Sequence, residues 1–209
     1  MREKFFYRFF KRSFDVFFAY IFLTAAYLPM MFIALAVKCT SPGSAVFKQK
    51  RVGREGKIFV CYKFRTMYRE APDNLSTAEF SDAGRFVTPV GKFLRRTSLD
   101  ELPQLLNVLA GDMSIIGPRP LIPREKVMHE KRRNGGAFDV RPGISGLAQI
   151  SGRDILDDEK KAALDIEYVA RMSMRRDFFI LMKTVARVIW GRGICMGGEE
   201  KSGVGDIRQ

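Results

Sequence analysis

One histidine, one tryptophan and three cysteines in 209 residues close off several chemistries at the outset. His129 stands in the charged stretch HEKRR with no second histidine to share a metal or complete a hydrolase triad, so it reads as a solvated helix residue. Cys39, Cys61 and Cys195 are far apart and odd in number. They give neither a closed disulfide framework nor a metal cluster at finger-like spacing, which suits a reducing, cytosol-facing domain. Acidic residues are also short, 23 against 36 Lys and Arg, for a net charge of +13. The surface will therefore attract polyanions, whether nucleic acid, anionic lipid headgroups or phosphorylated substrates, and charge alone does not choose among them. No internal repeat or low-complexity tract is evident. With 46% hydrophobic residues the chain can bury one substantial core, and one catalytic domain plus a membrane element fits the length.

Polar residues are nearly missing from residues 14 to 37, FDVFFAYIFLTAAYLPMMFIALAV, longer than the ~20 apolar residues a helix needs to cross a bilayer. The core is too long for a secretory signal, and Lys38 stands where a lipoprotein signal needs a small residue before Cys39, so cleavage is not expected. Basic residues flank both ends, Arg2, Lys4, Arg8, Lys11 and Arg12 before, and Lys38, Lys48, Lys50, Arg51 and Arg54 after. A simple span carries its basic residues mainly on one side, so two basic flanks suit a helix that enters and returns to the same face. Pro29 in mid-run supplies a place to turn, although a kinked ordinary span accounts for it equally well. Asp15 follows Lys11 and Arg12 at helical spacing, and the three are expected to pair at the membrane surface. The preceding MREKFFYRFFKR reads as an interfacial segment with Phe5, Phe6, Phe9 and Phe10 dipping into lipid.

Beyond Ser41-Pro42-Gly43, two β-rich runs, 45 to 52 and 57 to 67, flank the polar turn Gly53-Arg54-Glu55-Gly56 and predict a hairpin. Alternation puts Lys63 and Arg65 on one face with Cys61; a solvated strand face is the plainer account of two such basic residues. Residues 69 to 84 read as a surface loop over a site. From Val90 to Leu109 helical spacing returns, with Phe93, Leu94, Leu102, Leu105, Leu106 and Leu109 as a buried stripe and a break near Pro103. Helices are predicted over 155 to 171 and 174 to 190. The second mixes large apolar residues with Arg175, Arg176, Lys183 and Arg187, which suits either a membrane-surface helix or a core helix with a basic outer face. The glycine-rich tail, 191 to 209, has little to pack.

The chemistry centres on Ser98-Leu99-Asp100-Glu101. Ser98 and Glu101 have capping-box spacing, and acids in a first helical turn suit the helix dipole. The same geometry keeps a carboxylate ionised beside Arg95 and Arg96, ready to act as a nucleophile among groups that hold phosphate. Attack on a diphosphate also requires charge neutralisation, typically Mg2+ held through one or two carboxylates, and Asp100 and Glu101 could divide these duties. Downstream, Arg119 sits between Pro118 and Pro120, which restricts where its guanidinium points. Arg141 in VRPGISG and Arg153 in ISGR lie in glycine-rich loops suited to an anion, although arginines in such loops are often structural.

The chain resembles the bacterial sugar transferases known as monotopic phosphoglycosyl transferases, from about Phe10 to about Trp190. The stretches that carry the resemblance are KRSFD (11 to 15), SPGSAVFKQKRVG (41 to 53), YKFRTM (62 to 67), RRTSLDELPQLLNVLAGDMSIIGPRP (95 to 120), VRPGISGLAQISGR (140 to 153) and LDIEYV (164 to 169), in family order. A match of this length and order is far more specific than a lone short motif. The resemblance implies an α/β fold, a compact helix-rich catalytic domain with a small hairpin or sheet, anchored by a re-entrant N-terminal helix and amphipathic surface helices. Its expected divisions are 1 to 40 for the membrane element, 41 to 190 for the cytosolic transferase domain and 191 to 209 for a flexible tail. It implies that Asp100 attacks the sugar-proximal phosphate of a UDP-sugar, expels UMP and passes the phosphosugar to a polyprenyl (undecaprenyl) phosphate, with Glu101 its partner and Mg2+ close to both. Lys63, Arg65, Arg95, Arg119, Arg153 and Asp165 fall in family motifs and take binding or supporting roles. Leu28-Pro29 departs from the Ser-Pro of some members, which removes a hydroxyl that would satisfy backbone groups at the turn. The implied location is the bacterial cytoplasmic membrane, with the catalytic domain on the cytoplasmic face and membrane lipid as a partner; a homo-oligomer stays open.

The intact Asp100-Glu101 pair weighs against a catalytically silent scaffold of polysaccharide assembly. A nucleic-acid module is disfavoured because the aromatics concentrate in the apolar segment rather than between basic residues. A direct glycosyl transferase would release UDP in place of UMP. Which sugar is transferred is not written in these residues.

Overall fold

The apolar run and its basic approach form a single helix, α1 (Arg2–Thr40), with Pro29 inside it. At ~1.5 Å per residue, its 39 residues are long and apolar enough to cross a membrane. Most of its large side chains are uncovered by protein, among them Phe17, Tyr20, Phe22, Leu28, Phe32 and Leu35. The exceptions carry the packing. Asp15, Ala19 and Val37 are buried against the rest of the chain. The computed structural model describes residues 2–71, 83–152 and 156–190. The expected tail, most of the loop over 69 to 84 and Arg153 lie outside those residues.

The hairpin forms as its alternation predicts. Strands β1 (Val46–Val52) and β2 (Ile58–Phe64) pair antiparallel from Val46 opposite Phe64 to Val52 opposite Ile58. Their turn places Glu55 in the left-handed region at φ 58°. The register puts Phe47, Gln49 and Arg51 on the same face as Phe59, Cys61 and Lys63. Arg65 lies just past the end of β2, so the strand alternation no longer governs it.

The region from 89 to 110 breaks near Pro103, as its sequence suggests, into α2 (Pro89–Thr97), a 3-10 turn (Leu99–Glu101) and α3 (Gln104–Ala110). Helix α2 starts with Thr88 accepting from the Gly91 amide at 2.9 Å, and with proline at its first position. A Cβ on Gly91 would sit 2.0 Å from the Thr66 carbonyl oxygen, so only glycine lets α2 approach the hairpin exit this closely. The predicted stripe is only partly buried: Leu94 and Leu105 are covered, whereas Phe93 and Leu106 stand exposed. The break rotates the two helices out of one continuous face, so one period does not serve both.

After α3, β3 (Ser114–Ile116) pairs parallel with β4 (Gly143–Ser145), and α4 (Lys126–Asn134) lies between them in sequence. Helices α5 (Leu147–Ser151), α6 (Asp158–Ala170) and α7 (Met174–Trp190) complete a helix-rich α/β fold with two small sheets. One buried cluster joins Ala19 of α1 to Cys61, Val108, Met113, Ile116, Tyr168 and Ile180. A second joins Val37 to Ala45, Phe64 and Leu94. The two halves of α1 therefore pack against the same folded unit.

Polar contacts fix that packing. Asp15 accepts from the Ser114 hydroxyl at 2.8 Å and the Ile115 amide at 3.1 Å. Lys11 lies 3.9 Å from Asp15 but pairs more closely with Asp177 of α7, at 2.8 Å, which also accepts from the Tyr7 and Tyr168 hydroxyls. Arg12 departs from the expected pairing with Asp15: it donates to the carbonyls of Val108 and Leu109 at the end of α3, where unpaired carbonyls and the helix dipole favour a cation. At the other end of α1, Arg65 donates to the carbonyls of Ser41 at 2.7 Å and Pro42 at 2.6 Å.

Candidate active site

The Leu99–Glu101 turn presents two adjacent carboxylates. Ser98 ends α2 in the left-handed region (φ 56°), its amide donating to the Arg95 carbonyl. Its side chain caps nothing, so the capping box expected from Ser98 and Glu101 does not form. A left-handed residue that closes one helix does not present its hydroxyl to the first turn of the next. For a residue with a Cβ that conformation costs on the order of 1 kcal/mol.

Glu101 is buried, 8% exposed, yet charged neighbours surround it. Its Oε1 accepts from Lys63 Nζ at 2.8 Å and lies 3.5 Å from Arg119 Nη1. Asp100 is half-buried on the same turn. Lys63 comes from the hairpin face that Cys61 and Arg51 share. Burial raises the Cys61 thiol above its ordinary value, against the opposing pull of Lys63 and Arg51.

Arg119 is held from behind. Arg132 donates to the Arg119 backbone carbonyl at 2.6 Å and forms a short ion pair with Asp165, which is fully buried on α6. Burial raises Asp165, with Arg132 opposing the shift. Asp165, a sequence candidate, thus meets the site only through Arg132 and the backbone of Arg119. Arg132 itself was not singled out, because HEKRR reads as a solvated run; α4 turns this one member of it inward, leaving it 4% exposed. His129, expected in solvent, is half-buried with Nε2 2.8 Å from the Ile122 carbonyl.

Arg51 is the second residue that sequence reasoning missed. It donates to the Pro120 carbonyl at 2.9 Å and to Gln49, bracing the other side of the Pro118-Arg119-Pro120 segment. Burial, then the nearby Arg119 charge, depresses its proton affinity. Hairpin register was the signal that could have found it, since Arg51 shares a face with Lys63.

The remaining candidates separate. Arg95 is half-buried and donates through Nε to the Thr66 hydroxyl at 2.8 Å, one turn before Asp100. Arg65 faces the end of α1, its guanidinium on backbone carbonyls there. Arg141 donates to the Gly111 carbonyl at 2.7 Å, at the end of α3 opposite Asp100 and Glu101. Lys63, Glu101 and Arg119 are thus in direct contact, Arg51 and Asp165 support them, and Arg65 and Arg141 stand apart.

Among the described residues no cluster of three or more His, Cys, Asp or Glu forms a metal cage. A magnesium ion that keeps its waters and bridges substrate phosphates needs only one or two carboxylates, and the Asp100-Glu101 pair fits that mode. Cations around paired carboxylates suit a polyphosphate substrate: they hold its oxygens and keep the carboxylates ionised.

The family model described as "Bacterial sugar transferase" matches residues 6–191. The chain is 38% identical to an uncharacterized sugar transferase, EpsL, of Bacillus subtilis over 203 residues, covering 94% of this chain and 98% of that one. It is 42% identical to the UDP-glucose:undecaprenyl-phosphate glucose-1-phosphate transferase of Escherichia coli over 85% of its own length, and 40% identical to the undecaprenyl-phosphate galactose phosphotransferase of Salmonella typhimurium over 87%. The matches span 40% and 41% of those two longer proteins.

Proposed function

This chain belongs to the bacterial sugar transferase family, and from that premise we propose that it transfers a phosphosugar from a UDP-sugar to undecaprenyl phosphate at the cytoplasmic face of the bacterial inner membrane, in exopolysaccharide or related glycan assembly. One observation carries the mechanism: Asp100 stands on a tight turn beside Glu101, whose carboxylate two cations from separate elements engage.

Asp100 attacks the sugar-proximal phosphorus of the donor. The bond from that phosphorus to the bridging oxygen breaks, UMP leaves with the oxygen, and the phosphosugar remains on the Asp100 carboxyl as a mixed anhydride. An oxygen of undecaprenyl phosphate then attacks the same phosphorus, and the Asp100 carboxylate departs, leaving undecaprenyl diphosphate sugar. Lys63 and Arg119 bind the equatorial oxygens where charge develops, and Arg95 assists from the end of α2. Glu101 holds Lys63 and Arg119 at the spacing the diphosphate needs. Asp100 and Glu101 are the residues that would hold Mg2+, which supplies neutralisation of the diphosphate charge when bound.

Helix α1 enters the membrane and returns to the same face at Pro29, with 1 to 40 the membrane element and 41 to 190 the transferase domain. Its two ends are tied to one unit, through Arg12 on α3 and through Arg65 on Ser41 and Pro42, which supports a return over a crossing. The exposed Phe178, Phe179, Met182 and Val185 of α7 lie on one apolar face beside the entry of α1, suited to the headgroup boundary.

The deciding experiment incubates wild-type protein and Asp100→Asn with Mg2+, undecaprenyl phosphate and a panel of UDP-sugars. UMP release by wild type with one donor, and none by the variant, is expected. UDP release would overturn the reaction, full activity of the variant would overturn the nucleophile, and no turnover of any donor would favour a scaffold.

A further inference from the structure

On the side of α3 away from Glu101, a second basic site lies at the foot of the membrane helix. A cavity of about 90 Å³ opens between α1 and the loops before β4, lined by Arg8, Lys11, Arg12, Arg54 and Arg141 and by the two acids Asp15 and Asp139. It has room for a headgroup phosphate but not for a whole small-molecule ligand. Several of these groups are accounted for by the fold: Lys11 by Asp177, Arg12 by the α3 carbonyls, and Asp15 by Ser114 and the Ile115 amide. Others are not. Arg141 spends only its Nε on Gly111, and Arg54, which pairs through Nη2 with the exposed Glu55 at 2.9 Å, keeps a buried Nε without a partner. Burial and the like charges of Arg12 and Arg54 depress Arg141, so three guanidiniums crowd one another here. Crowded cations with unspent donors are the chemistry of a phosphate seat.

A second cavity, about 370 Å³, shares the wall formed by Lys11, Asp15 and Ile116 and is lined further by Phe14, Met174 and Phe178, and by Arg175 and Asp177. It is flanked by α1 and the start of α7, the two helices with uncovered apolar faces. A basic cavity backed by one whose exposed lining is mostly apolar matches an amphiphile.

We propose that this pair of cavities binds one anionic phospholipid, its phosphate held by Arg54, Arg141 and Arg8 and its acyl chain lying along Phe14 and Phe178. The site is distinct from the one that transfers phosphosugar. A phosphate group could also reach the basic cavity from solution, so the test separates the two sources.

Delipidated full-length protein is titrated with phosphatidylglycerol, phosphatidylcholine or inorganic phosphate and read by native mass spectrometry. Wild type is expected to retain one phosphatidylglycerol at least about tenfold more tightly than phosphatidylcholine, and Arg54→Gln or Arg8→Gln to weaken it about fivefold each. Arg8 makes no contact that the fold depends on, which keeps the test valid should Arg54→Gln disturb the hairpin turn. Asp100→Asn is expected to keep the full lipid preference, so loss of transfer and loss of this site are separate results. Equal retention of the two lipids, or an unchanged preference in both arginine variants, would overturn the proposal. Displacement of phosphatidylglycerol by an equal concentration of inorganic phosphate would overturn the lipid as occupant and leave a soluble anion.

Discussion

The guanidinium of Arg132 donates to the backbone carbonyl of Arg119 at 2.6 Å, so an arginine that would reach substrate is placed by another that does not. The far arm of Arg132 is locked by Asp165, and both sit in the interior between α4 and α6. The placement of Arg119 thus depends on a buried ion pair two steps removed.

Removing one partner of such a pair strands a charge in the interior, at a cost of about 3–5 kcal/mol. Asp165→Asn is therefore expected to lower the thermal unfolding midpoint sharply, with UMP release falling as Arg119 loses its brace. Replacing Arg132 and Asp165 together with Met and Leu is expected to recover most of the stability but not the activity. Recovery of both would show that Arg132 does not position Arg119.

Glu101→Gln keeps the shape of the site and removes the charge that organises Lys63 and Arg119. Turnover is expected to fall about a hundredfold or more, the scale set by loss of an organised electrostatic contact, with the unfolding midpoint nearly unchanged. A loss below about tenfold would reduce Glu101 to an anchor for Lys63.

Arg65 tests where a motif residue acts. Its contacts with Ser41 and Pro42 predict that Arg65→Ala loosens the end of α1, seen as faster amide hydrogen exchange over residues 37 to 44, and costs about 1.5–3 kcal/mol. The KM for the sugar donor should barely move. A large rise in KM with exchange unchanged would return Arg65 to phosphate binding.

Thiol labelling reports on the site from its underside. Cys39 is exposed, whereas Cys61 is buried with its thiol raised by burial, so a maleimide should modify Cys39 and spare Cys61 in native protein, as peptide mapping would show. Ready modification of Cys61 would mean that the hairpin face opens beside Lys63.

The elements set by local pattern were legible before any coordinates. The hairpin followed from alternation around Gly53 to Gly56, the long apolar helix from its composition, and the break at Pro103 from a missing amide. Adjacent Asp100 and Glu101, and Lys63 and Arg119 around them, were also readable as candidates. What escaped was direction and burial, which depend on distant partners. Arg65 and Lys63 look alike in YKFRTM, yet one ends up at the helix terminus and the other on Glu101, because the strand stops between them. Arg132 looks solvated among its neighbours because nothing local discloses that α6 will bring Asp165 to it. Ser98 and Glu101 had the spacing of a cap, but spacing is silent about a left-handed residue between two helices.

Asp15, Ala19 and Val37 belong to the interior of the unit that carries the candidate active site. Synthesis therefore has an order built into it. Helix α1 precedes in sequence every element it packs against, so the later segments complete their interior only against a helix already made. Removing residues 1 to 40 would strip a wall from both buried clusters, and the remainder is not expected to fold as a stable unit.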